Sequence, residues 1–138
     1  MNKTSDKYSG GCLCEAVRYE ITGAIEKIFF CHCRRCRKAN GSAFAAVAPV
    51  QRSHFFITKG QQHLKSYHSE AGVHRAFCGQ CGSPIIGYRE SDPDTVRVRI
   101  GSLDAPVEEK VSGHIFVASK AEWYDIHDAA PQYDERPV

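Results

Sequence analysis

Thr95 to Ile100 alternates with period two: Val96, Val98 and Ile100 are apolar, and Arg97 and Arg99 are basic. That pattern predicts a strand with its three apolar residues facing a core and its two arginines on the opposite face. Shorter runs at 17–21, 28–30, 54–58 and 114–117 read as further strands, being alternating, aromatic or β-branched. Gly and Pro punctuate them at Gly10-Gly11, Gly23, Gly41, Gly60, Gly72, Gly82, Pro93, Gly101 and Pro106. Short strands at such spacing predict a mainly β fold with antiparallel sheets rather than a βαβ arrangement. A short helix is expected at 34–40, stopped by Gly41 as a left-handed C-cap. One helical turn is expected over 119–124, and a loose tail after Ala130.

The chain has 138 residues, 42% of them hydrophobic and 25% charged, which suits one globular domain with its own core. The longest apolar run, Ala43 to Val50, is too short to span a bilayer and contains Pro49. Residues 1–7 lack the apolar stretch of a signal peptide, so the expected location is cytoplasmic and reducing. There, an odd set of seven cysteines reads as metal ligands or catalytic groups rather than bridges. The formal charge is +2; seven thiolates and two divalent ions would turn it to about −1. Neither a membrane nor a nucleic-acid partner is expected.

The cysteines fall in three clusters, Cys12-Leu13-Cys14, Cys31-His32-Cys33-Arg34-Arg35-Cys36 and Cys78-Gly79-Gln80-Cys81. In extended chain, residues i and i+2 share a face, so each CxC aims two sulfurs at one ion. The CxxC flanked by glycines does the same through a tight turn. Cys31, Cys33 and Cys36 are near enough in sequence to converge alone. Cys12, Cys14, Cys78 and Cys81 are left as a four-thiolate set joining distant segments, which suits a structural metal. Three thiolates leave a tetrahedral position open, the arrangement of catalytic zinc. Zinc is the expected ion at both sites; an iron–sulfur cluster is the alternative for the four-cysteine set.

The open position has rival occupants. His32, His68 or His74 would close it and make both sites structural, though His32 lies between two same-face cysteines and points away from them. Arg34, Arg35, Arg37 and Lys38 form either a solvated helix face or a cationic rim for substrate carboxylates. The remaining histidines, His54, His63, His114 and His127, carry no assignment.

Gly10-Gly11-Cys12-Leu13-Cys14, Cys31-His32-Cys33-Arg34-Arg35-Cys36-Arg37 with Gly41-Ser42, and Phe77-Cys78-Gly79-Gln80-Cys81-Gly82 resemble the glutathione-dependent formaldehyde-activating enzyme family, which includes centromere protein V. Gly101-Ser102-Leu103-Asp104, His114-Ile115-Phe116-Val117, Trp123-Tyr124-Asp125-Ile126 and Pro131-Gln132 look similar too. The resemblance implies an Mss4-like β fold over residues 8–133, with flexible ends at 1–7 and 134–138. It implies a structural zinc on Cys12, Cys14, Cys78 and Cys81 and a second, catalytic zinc on Cys31, Cys33 and Cys36. The implied reaction joins formaldehyde to a small thiol, glutathione, giving S-(hydroxymethyl)glutathione, a carbon–sulfur lyase reaction run in reverse. Arg34 or Arg37 would hold the substrate carboxylates. Glu15 stands where the family often has glycine. Two other functions fit the same residues: a zinc-stabilised binding module without chemistry, and a redox switch at Cys33 and Cys36.

Overall fold

A computed structural model describes residues 7–137. Its strands are β1 (Lys7–Gly11), β2 (Arg18–Thr22), β3 (Phe29–Cys31), β4 (Ala45–Gln51), β5 (Phe55–Lys59), β6 (Leu64–His68), β7 (Val73–Cys78), β8 (Pro84–Arg89), β9 (Asp92–Arg99) and β10 (Gly113–Ile115). Helix α1 (Arg34–Asn40) is the one α-helix among the described residues, and short 3-10 turns join several strands. The fold is mainly β, as expected. No helix is long and apolar enough to cross a membrane.

A three-stranded sheet has the order β1-β2-β5, and a seven-stranded sheet the order β10-β3-β4-β9-β8-β7-β6. Pairing is antiparallel throughout except for β10, which runs parallel to β3 and places His114 beside Phe30 and Ile115 beside Cys31. The alternation read at 95–100 is realised: Val96 and Val98 are fully buried, and Arg97 and Arg99 lie on the other face. They join Val17, Tyr19, Ile21 and Ile85 in a core between the two sheets.

The apolar run at 43–50 becomes β4, a central strand between β3 and β9. It tolerates Pro49 because β3 begins at Phe29 opposite Val47 and does not extend to Pro49, so there the strand has a neighbour on one side. β6 escapes sequence reading because it is an edge strand with four of its five residues exposed. β8 escapes it because Pro84 and Gly87 interrupt the pattern.

Two expectations are corrected. The helical turn falls at Val117–Ser119 instead of 119–124, since Phe116 enters it in the left-handed conformation. The segment after Ala130 is not loose: it adds along β10, with the Phe116 N–H donating to the Glu135 carbonyl at 2.8 Å and the Tyr133 N–H to that of His114 at 2.9 Å. Residues 1–6 and 138, read above as parts of flexible ends, lie outside the described residues; Lys7 is paired in β1.

Tyr19 is fully buried with its hydroxyl 2.6 Å from that of Ser102, and burial pushes its phenol up to about 12. The folded chain therefore holds a proton that the unfolded chain releases near pH 10. Stability should be intact below that pH and fall by on the order of 2 kcal/mol as pH rises toward 12. Urea denaturation at pH 9 and 11.5 checks this, and Tyr19→Phe should flatten the slope.

Candidate active site and metal centres

Cys12 and Cys14 follow β1, Cys78 ends β7, and Cys81 sits in the turn before β8. Their four sulfurs lie within 4.8 Å of one another, with Cys12 and Cys14 at 3.6 Å and Cys14 and Cys78 at 3.8 Å. Sulfurs held tetrahedrally at about 2.3 Å from zinc stand about 3.8 Å apart, close to these two separations, so the donor set suits that ion. None of the seven cysteines is in a disulfide.

Backbone donors support the sulfurs: the Val17 N–H bonds Cys12 Sγ at 3.2 Å and the Gln80 N–H bonds Cys78 Sγ at 3.4 Å. The Ser83 hydroxyl lies 3.1 Å from Cys81 Sγ, accepts from the Leu13 N–H at 3.0 Å, and brings the Cys81 thiol down to about 5. Donors aimed at sulfur favour the thiolate, the form that binds metal.

Glu15 closes the turn after Cys14, its N–H bonded to the Cys12 carbonyl at 3.1 Å, with φ of 66°. That left-handed conformation is one that glycine adopts without strain, which fits the glycine expected here from the family resemblance. Glu15→Gly should raise stability by about 0.5 kcal/mol, the relief of strain exceeding the entropy glycine adds to the unfolded chain. A higher urea midpoint with unchanged metal content would bear this out.

The second group is local. Cys31 ends β3, Cys33 caps the N-terminus of α1, and Cys36 lies in its first turn; Cys33 Sγ accepts the Cys36 N–H at 3.3 Å. Gly41, with φ of 62°, stops the helix as expected. The three sulfurs lie within 4.8 Å of one another, and the Arg75 guanidinium donates to Cys36 Sγ at 3.8 Å. Its neighbours Cys31 and Cys36 hold the Cys33 thiol down near 2, while Cys33 and Cys36 push Cys31 strongly up.

Among the described residues no His, Asp or Glu joins either group. His32 points away, as its strand parity requires. His74 bonds Glu90 Oε2 at 2.7 Å and stacks on Tyr88, and His68 packs against His74. A histidine closing the three-cysteine site is thereby corrected, because each candidate is committed elsewhere.

His32 and His114 are both fully buried, with His32 Nε2 2.8 Å from His114 Nδ1. His114 Nε2 lies 3.0 Å from the Asp128 carboxylate. Phe44 and Tyr124 pack over His32, and Phe30 meets His114 edge-on. This chain of rings ties the segment between Cys31 and Cys33, at the end of β3, to β10. His114 carries no signal in the sequence, since only the parallel β10–β3 pairing brings it to His32.

The three cysteines open onto a cleft of about 350 Å³. Arg34 and Arg35 reach it from α1, Arg75 from β7, Arg89 from β8, and Arg97 and Arg99 from the outward face of β9. Arg136 joins them from the tail, over the Phe116 ring. Arg37 is absent from the lining: it donates to the Ser119 carbonyl at 3.0 Å, so of the two arginines expected to hold carboxylates only Arg34 faces this cleft.

The sequence profile of the family described as glutathione-dependent formaldehyde-activating enzyme matches residues 7–119. A Penicillium rubens protein named putative glutathione-dependent formaldehyde-activating enzyme is 31% identical over 93 residues, covering 64% of this chain and 49% of its own. An uncharacterized lyase of Schizosaccharomyces pombe is 29% identical over 79 residues, 57% of this chain and 56% of its own. A Fusarium vanettenii protein with the same name as the Penicillium one is 26% identical over 97 residues, 67% of this chain and 52% of its own. The chain thus spans about half the length of the curated relatives it matches. A crystal structure of a Rhodobacter sphaeroides protein superposes with a TM-score of 0.62 at 24% identity, over 75% of this chain and 96% of that one, a likeness of fold alone.

Proposed function

Since this chain belongs to the glutathione-dependent formaldehyde-activating enzyme family, we propose that it is a zinc-dependent enzyme of the carbon–sulfur lyase type acting on the formaldehyde adduct of a small thiol. Glutathione is the thiol for which its relatives are named. Residues 8–133 would make one zinc-binding domain working in the reducing cytoplasm. Cys12, Cys14, Cys78 and Cys81 would hold a structural zinc, and Cys31, Cys33 and Cys36 a second one. The observation that carries the reading is the three-cysteine group: it lacks a fourth protein ligand among the described residues and faces a cleft lined by arginine.

A zinc ion on Cys31, Cys33 and Cys36 would keep a substrate thiol deprotonated near neutral pH. The chain's own part is positioning. Arg34, Arg75 and Arg97 hold the anionic groups of the substrate, and β3 and α1 hold the three sulfurs at the cleft floor. In the synthetic direction the thiol sulfur forms a bond to the formaldehyde carbon, the C=O π bond breaks, and the thiol's proton ends on the oxygen, giving the hydroxymethyl thioether. The reverse direction breaks that C–S bond and returns both reactants.

The test combines metal counting with exchange NMR of ¹³C-formaldehyde and thiol. Wild type should carry two zinc ions per chain and accelerate the exchange. Cys36→Ser should stay folded, retain one zinc and lose the acceleration by at least about a hundredfold. A folded Cys36→Ser exchanging as fast as wild type sinks the proposal.

A further inference from the structure

Seven of the side chains lining the cleft are arginines, and none is Asp or Glu among the described residues. Arginine keeps its charge at any working pH, so these side chains stay cationic. Three thiolates with one divalent ion carry a single negative charge, far short of balancing seven guanidinium groups. None of the seven forms an ion pair with a carboxylate among the described residues. Arg99 spends one nitrogen on the Arg97 carbonyl at 3.0 Å, and Arg75 one on Cys36 Sγ. Arg97 has a buried guanidinium nitrogen with no hydrogen-bond partner. Unpaired buried donors are costly, and this one lies beside the open sulfur site.

We infer that the cleft selects thiols bearing two or more acidic groups and no ammonium group, the class of mercaptodicarboxylates and thiol phosphonates. This rests on the three-cysteine site being the thiol site of the proposed function. Arginine forks bond carboxylate and phosphonate oxygens in pairs, so a compact polyanion satisfies several at once. A zwitterionic thiol meets the opposite situation. Its ammonium needs acceptors, and this cleft offers seven like charges and no carboxylate to receive it.

Binding is measured by calorimetry on the full chain with its zinc counted first. The probes are mercaptosuccinate, glutathione, 2-mercaptoethanol and succinate. Mercaptosuccinate should bind at least about tenfold more tightly than glutathione, and its affinity should weaken as salt rises. Arg97→Gln should weaken mercaptosuccinate about tenfold and leave 2-mercaptoethanol unchanged. Arg89→Gln, on the neighbouring strand, should move the affinities in the same direction and serves where Arg97→Gln does not fold. Glutathione binding as tightly as mercaptosuccinate overturns the inference while leaving the thiol site standing. Full mercaptosuccinate affinity in the folded variants overturns it as well. Succinate matching mercaptosuccinate overturns the thiol site itself, and the inference with it.

Discussion

Cys78→Ser should leave the chain unfolded at ordinary temperature. Cys78 is fully buried at the end of β7, where its sulfur meets Cys14 at 3.8 Å and its neighbours include the main core. The four-cysteine group ties the turn after β1 to the β7–β8 turn, so a metal there cross-links segments 64 residues apart. Serine is a poor zinc ligand and leaves a hydroxyl in an apolar site. Structural zinc contributes on the order of 10 kcal/mol in small domains, whereas whole domains are stable by only about 5–15 kcal/mol. Losing that contribution removes most or all of the stability of such a domain. Far-UV circular dichroism and zinc content read the outcome, with Cys36→Ser as the folded control. A Cys78→Ser protein that melts near the wild-type temperature would remove the structural role from this group.

His114→Ala should cost about 3–4 kcal/mol and lower the melting temperature by about 10–15 °C. Three losses combine. A fully buried ring disappears, His32 Nε2 loses its partner at 2.8 Å, and Asp128 loses the imidazole at 3.0 Å. The effect should reach the site as well, because His32 lies between Cys31 and Cys33. The variant should retain the four-cysteine metal and hold the metal proposed at Cys31, Cys33 and Cys36 more weakly against a chelator. Asp128→Ala, at a partly exposed residue, should cost less, and the double variant should be less damaged than the two singles added together. Strict additivity would dissolve the ring chain into unrelated contacts.

Local patterns were legible wherever one element sufficed. The alternation of β9, the α1 stop at Gly41 and the grouping of Cys31, Cys33 and Cys36 are short-range features, and all are present in the fold. The grouping of Cys12 and Cys14 with Cys78 and Cys81 emerged by subtraction, since the third cluster was complete in itself. Strands β6 and β8 were hidden because exposure on an edge, or a Pro and a Gly in the run, removes the period-two signal. The tail was misread because it is held by backbone hydrogen bonds along β10, which any sequence can make.

The three cysteine clusters and the convergence of Cys31, Cys33 and Cys36 were therefore a property of the sequence alone, because CxC and CxxC spacing sets which nearby sulfurs can turn to one point. The fold brings Cys12 and Cys14 to Cys78 and Cys81. The seven-arginine cleft and the His32–His114–Asp128 chain were decided by the tertiary structure. Their residues come from α1, β7, β8, β9, β10, the link after β3 and the segment after β10, and period two tells which residues share a face but not which strands become neighbours. Strand order depends on core packing between distant segments. That packing turned Arg97 and Arg99, legible only as the outward face of one strand, into the wall above Cys31, Cys33 and Cys36.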